Sequence, residues 1–120
     1  MKLVIVNPKI VKNKKRREVN DVIDHALIKW LKTNSYSPIV LPNQMIKQPN
    51  KIIRNFLKKL NPKGIVLSGG NSVDKKSIRY EMQLLLIKYS HNNKIPLLGI
   101  CQGMQMMGVL NNSKLIKIKN

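Results

Sequence analysis

Four short apolar runs, each leading into a longer stretch of different periodicity, constrain this chain more than any other feature. The runs are Leu3-Val4-Ile5-Val6, Ile39-Val40-Leu41, Gly64-Ile65-Val66-Leu67 and Ile95 to Ile100. They are continuous rather than alternating, the pattern of strands buried on both faces. Between them the apolar residues recur at helical spacing. After the cluster Lys12-Asn13-Lys14-Lys15-Arg16-Arg17, a stripe from Val19 through Val22, Ile23, Ala26, Leu27, Trp30 and Leu31 predicts a first helix. A second follows Pro49-Asn50, with Ile52, Ile53, Phe56, Leu57 and Leu60, and closes at Asn61-Pro62. A third carries Ile78, Met82, Leu85, Leu86 and Tyr89 and ends near His91-Asn92-Asn93. A fourth begins after Cys101, with Met104, Met107 and Val109-Leu110 on or near its inner side. Leu115-Ile116-Lys117-Ile118 alternates as a fifth strand would.

Strands alternating with helices through short connections predict an α/β fold, a doubly wound (flavodoxin-like) parallel sheet with helices on both faces. Residues 1–120 carry no repeat, linker or low-complexity stretch that would divide them into two domains. In such sheets ligands sit beyond the carboxyl ends of the strands. Two segments fall there: Ser68-Gly69-Gly70-Asn71 after the third strand, and Cys101 after the fourth.

Cys101 is the chain's one cysteine, with Gly99 two residues before it and Gly103 two after. G-x-C-x-G between a strand and a helix is the thiol form of the nucleophile elbow, a sharp turn that holds its central side chain above the sheet. The turn brings the flanking positions together, so both must be small. A thiol at a helix N-terminus also meets unpaired amides and the positive end of the helix dipole, which favour the thiolate. The alternative is a buried structural cysteine, and strand, turn and glycines together favour the nucleophile. The methionines after it read as core filler rather than a metal or cofactor box.

A thiol attacking an acyl carbon needs donors for the developing oxyanion and a base. The amide of Gln102 is one candidate donor, and the Gly69-Gly70 turn could supply another, although glycines also serve such turns for local reasons. No phosphate-binding glycine pattern occurs. The base is missing from the pattern. His91 precedes the fourth strand while Cys101 follows it, about 20 Å away by strand geometry, and His25 falls within the first helical stripe. No cluster has metal-ligand spacing, so neither metal nor cofactor is expected.

The balance of 23 basic against 5 acidic residues gives a formal charge of +18. It admits a polyanion partner, but the cations are spread along the chain and aromatic residues are few, so nucleic-acid binding is the lesser expectation. One cysteine excludes an internal disulfide and fits a reducing compartment. No run reaches the length of a membrane helix, so the expectation is a soluble, cytoplasmic protein with no membrane partner.

Pro96-Leu97-Leu98-Gly99-Ile100-Cys101-Gln102-Gly103-Met104-Gln105 resembles the nucleophile segment of the class I glutamine amidotransferase family, specifically its γ-glutamyl hydrolase branch. Leu67-Ser68-Gly69-Gly70-Asn71 resembles that family's oxyanion turn. Arg79-Tyr80-Glu81 with Leu84-Leu85 is similar to the R-x-x-E helix before the nucleophile strand, with the spacing R-x-E here. Asn20-Asp21 through Trp30, and Pro38-Ile39-Val40-Leu41-Pro42-Asn43, are similar to the first helix and second strand of bacterial members. The resemblance implies that Cys101 attacks the γ-carbonyl of a glutamine or γ-glutamyl substrate. The amides of Gly70 and Gln102 would hold the oxyanion, and Gln105, with Gly69, would contact the glutamyl portion. Arg79 and Glu81 would be structural. In the family the histidine and its acidic partner lie downstream of the cysteine, after further strands. The expectation is therefore an incomplete domain, inactive alone, with an unpaired sheet edge. Such a chain would work with a synthetase or with a completing chain that brings the histidine. The contrasting expectation is a non-catalytic basic module that binds a polyanion.

Overall fold

The computed structural model describes residues 1–116 and 118. Four strands form one parallel sheet: β1 (Leu3–Asn7), β4 (Ser37–Val40), β5 (Gly64–Leu67) and β6 (Leu97–Gly99), in the order β4-β1-β5-β6. Four helices, α1 (His25–Thr33), α2 (Asn50–Leu60), α3 (Ile78–Asn93) and α4 (Gln102–Leu110), alternate with the parallel strands. The α/β architecture is thus the one the sequence pattern predicts. β1 shows why its run is continuous. Ile5, with Ile65 and Leu67 of β5, packs into a core with Ile53 and Leu57 of α2 and Met82 and Leu86 of α3. Val4 and Val6, with Val66, pack on the opposite face against Leu31 of α1. Successive side chains point to opposite faces, so a strand with helices on both sides must be apolar at every position.

Two expectations are corrected. The stripe starting at Val19 does not begin a helix. Lys9–Asn13 (β2) and Glu18–Val22 (β3) form an antiparallel hairpin, pairing Lys9 with Val22 and Asn13 with Glu18. The basic cluster forms its exposed tip, where Arg17 takes φ 51°. Helix α1 starts only at His25, because the Asp24 side chain accepts the Ala26 amide at 2.8 Å and caps it there. The β-branched residues Ile10, Val11, Val19 and Val22 suit a ribbon better than a helix. The ribbon is anchored by bonds from distant residues: Asn71 pairs with both backbone groups of Ile10, at 2.9 and 2.8 Å. Its other anchor is Asp21, which accepts from the backbone and side-chain nitrogens of Asn43.

The expected fifth strand is not seen among the described residues. Leu115, Ile116 and Ile118 are exposed and in no ladder, and Lys117 lies outside the described residues. Alternation alone does not make a strand, since the segment must also dock on a free edge, and these described residues pair with none. Among the described residues, β6 pairs on one side only, with β5. Smaller differences lie within the helical stripes. Trp30, Ile52, Phe56 and Met104 are exposed, while Met106 is fully buried.

Candidate functional site

Register sets the geometry. Parallel pairing aligns Asn7 of β1 with Leu67 of β5, and Leu67 with Gly99 of β6. The turn Ser68-Gly69-Gly70 and the residue Cys101 therefore leave the sheet side by side at its carboxyl edge. Cys101 is exposed and adopts φ 49°, ψ −107°, a conformation that a residue with a Cβ rarely takes. Both flanking glycines are sterically required. A Cβ on Gly99 would stand 2.7 Å from the carbonyl carbon of Gly103, and one on Gly103 would overlap the Leu67 carbonyl. The strained turn and the close approach together hold the thiol outside the sheet at the start of α4.

The turn Ser68-Gly69-Gly70 lies against it. A Cβ on Gly69 would lie 3.4 Å from the Cys101 Cβ and 3.7 Å from its Sγ. Gly70 has φ 94°, and a Cβ there would collide with the aliphatic stem of Lys9. Among the described residues, the backbone amides of Gly69, Gly70 and Gln102 donate no hydrogen bond. Unpaired N–H groups next to a thiol can receive a negative oxygen. A cavity of about 430 Å³ opens beside the turn, lined by Ser68, Gly69, Gly70 and Ile100 together with Lys9, Ile23, Asp24 and Leu27. Gln105 is exposed one turn along α4 from the thiol.

Beneath the turn lies a buried polar network that the sequence pattern did not reveal. Asn7, Asn43 and Gln83 have no exposed surface, and Arg79 is 2% exposed. Asn7 Oδ1 accepts from Arg79 Nε at 3.0 Å and from Gln83 Nε2 at 2.9 Å, and its amide nitrogen donates to Asn43. Gln83 and Gln102 exchange two hydrogen bonds, at 2.8 and 3.0 Å. Arg79 Nη2 donates to the Ser68 carbonyl at 2.6 Å, and Nη1 donates to the Gly70 carbonyl and to Asn71. No buried side-chain polar atom among the described residues lacks a partner. Burial pushes the Arg79 pKa down to about 10, while Asp21 acts in the opposite direction. The side chain is therefore charged at neutral pH. A usable signal existed, because Arg79, Met82, Gln83, Leu86 and Ser90 follow one helical stripe. The stripe is visible only if polar residues are counted along with apolar ones.

The two histidines lie apart from one another. His91 is exposed in the last turn of α3, away from the carboxyl edge. His25 is not mid-helix, as its stripe suggested, but the first residue of α1, next to the cavity-lining Asp24. Among the described residues no hydrogen bond reaches the Cys101 thiol, and no group of three His, Cys, Asp or Glu side chains could hold a metal ion. No helix among them is long and apolar enough to cross a membrane.

Comparison with known proteins agrees with this geometry. A family model described as "Glutamine amidotransferase class-I" matches residues 17–120. The chain is 46% identical over 61 residues to "GMP synthase [glutamine-hydrolyzing]" of Bacillus subtilis, a match covering 49% of this chain and 11% of that protein. The protein of the same description from Oceanobacillus iheyensis is 40% identical over 73 residues, 59% of this chain and 13% of the relative. That from Ruthia magnifica is 40% identical over 68 residues, 51% and 11%. The chain thus spans about a tenth of the length of the curated relatives it matches. These relatives carry the name GMP synthase, so they support the family as a whole and not its γ-glutamyl hydrolase branch in particular.

Proposed function

Since the chain belongs to the class-I glutamine amidotransferase family, we propose that it cleaves the γ-amide of glutamine, or of a γ-glutamyl compound, with Cys101 as nucleophile. The sulfur adds to the γ-carbonyl carbon, and the carbonyl oxygen takes the charge. The amides of Gln102 and of the Gly69-Gly70 turn hold that oxygen. Collapse breaks the C–N bond, and the amine leaves with a proton. Water then cleaves the γ-glutamyl thioester to glutamate and the free thiol. Gln105, exposed one turn beyond, contacts the glutamyl portion. The observation that carries this reading is the exposed thiol in a left-handed turn beside amides that have no other partner among the described residues.

Each proton step needs a base, and the described residues bring none into hydrogen-bond contact with the thiol. The reading therefore separates acylation chemistry from turnover. A γ-glutamyl chloromethyl ketone should label Cys101 stoichiometrically, as read by mass spectrometry, and Cys101→Ser should abolish the label. Steady-state ammonia release from glutamine should require a synthetase or another chain that supplies a histidine. A thiol that reacts with iodoacetamide but ignores the ketone would overturn the assignment.

Two finer points belong to the same proposal. The relatives' designation as glutamine-hydrolyzing favours glutamine itself as the substrate. The resemblance of the segments around Asn20-Asp21 and Pro38–Asn43 favours a larger γ-glutamyl amide, and a panel of leaving groups separates the two. A second reading, a polyanion-binding module, rests on the exposed cations Lys12, Lys14, Lys15, Arg16 and Arg17 at the hairpin tip. It predicts binding to duplex DNA that weakens steeply with salt and survives Cys101→Ser.

A further inference from the structure

We propose that Arg79 is the positioning residue of the turn after β5, orienting its peptides so that amide hydrogens face the thiol. This rests on the reading of Cys101 as an acyl-group nucleophile, and it gives the helix arginine a function that the family resemblance left structural.

Arg79 is 2% exposed and carries a full charge, yet among the described residues no carboxylate bonds to it. Burying a charge with no carboxylate bonded to it is unfavourable even with Asp21 near enough to favour the charged form, and an apolar side chain of similar size would serve packing alone at least as well. The guanidinium is instead spent on the turn. Nη2 donates to the Ser68 carbonyl at 2.6 Å and Nη1 to the Gly70 carbonyl, while Nε is fixed by Asn7 at 3.0 Å. The planar fork therefore holds two carbonyls of one tight turn at once, which a lysine ammonium cannot reproduce.

All described peptide bonds are trans, so each amide N–H points opposite to its carbonyl. Drawing the Ser68 and Gly70 carbonyls into the interior turns the amides of Gly69 and Asn71 outward. Gly69 is the residue whose Cβ position lies 3.4 Å from the Cys101 Cβ, and its amide has no other acceptor among the described residues. A carbonyl that accepts from a cation is polarised, and its peptide N–H becomes the better donor. Arg79 thus both aims and strengthens the Gly69 amide. The resemblance implies Gly70 and Gln102 as the donors, and within the turn this geometry singles out Gly69 beside them.

The test compares two reagents on the full chain. Attack on a γ-glutamyl chloromethyl ketone places charge on a carbonyl oxygen, whereas alkylation by iodoacetamide does not need that oxygen held. In Arg79→Lys and Arg79→Met, ketone labelling of Cys101 should fall by about tenfold or more, while the iodoacetamide rate changes less than about threefold. Circular dichroism and urea melting report whether each variant folds. A parallel fall of both rates, or an unchanged ketone rate in a folded variant, overturns the proposal. A wild-type thiol alkylated by iodoacetamide but inert to the ketone overturns the nucleophile reading itself, a distinct result. If both variants unfold, the wild type decides: the Arg79 Nη–H resonances should shift when the ketone adduct forms, and unmoved resonances count against the inference.

Discussion

At Cys101 the backbone sits where glycine would be comfortable and any side chain is strained. Such conformations cost on the order of 1–3 kcal/mol, and replacing a residue by glycine loses about 0.4–1 kcal/mol through the unfolded chain. Cys101→Gly should therefore hold or raise the urea midpoint even as it removes the thiol. A clear loss of stability would show that the turn is relaxed. The reverse holds two residues on. Gly103→Ala pushes a methyl group into the Leu67 carbonyl and should destabilise by about 1–3 kcal/mol in urea melts. Tyr89 offers a pH signature, since burial raises its phenol above the usual value of 10.0. Up to that pH the folded and unfolded chains both keep the proton. Above it the unfolded chain ionises first, so stability is lost with rising pH. Tyr89→Phe should flatten the melting-temperature profile above pH 10 relative to wild type.

The strands and most of the helices could be read from the chain, because burial on both faces of a sheet demands uninterrupted apolar runs. So could the elbow, since two glycines around a cysteine leave few other turns. The hairpin could not. Val22 and Ile23 continue the spacing of α1, and what stops the helix is a cap at Asp24 together with anchors at Asn43 and Asn71, 22 and 61 residues away from their partners. Asn7 ends β1 and is also the junction where Arg79, Gln83 and Asn43 meet. Pairings between distant polar residues leave no periodic trace. They do make the hairpin testable as an element. Asn71→Ala removes both side-chain bonds to Ile10 and should speed exchange of the Ile10 amide at least tenfold by NMR. Exchange of core amides such as Ile65 should be nearly unchanged. Equal acceleration at both sites would mean that the hairpin and the sheet open together.

Over the whole molecule the excess of cations works against compactness. A formal charge of +18 on 120 residues repels itself, and mobile ions screen that repulsion over a Debye length of about 10 Å at 0.1 M. The melting temperature should therefore rise as sodium chloride goes from 10 to about 300 mM, a trend read directly by scanning calorimetry; a fall would point to attractive surface pairs instead. The two sides of the sheet are also unequal. Among the described residues, ten buried ones make up the core on the side of α2 and α3, against four beneath α1. On α1's side Leu98 is still 44% exposed. Partial opening should follow that imbalance. Under mild denaturant α1 should peel away while the thicker half keeps its shape, baring a strip of valines that other molecules could stick to before global melting begins.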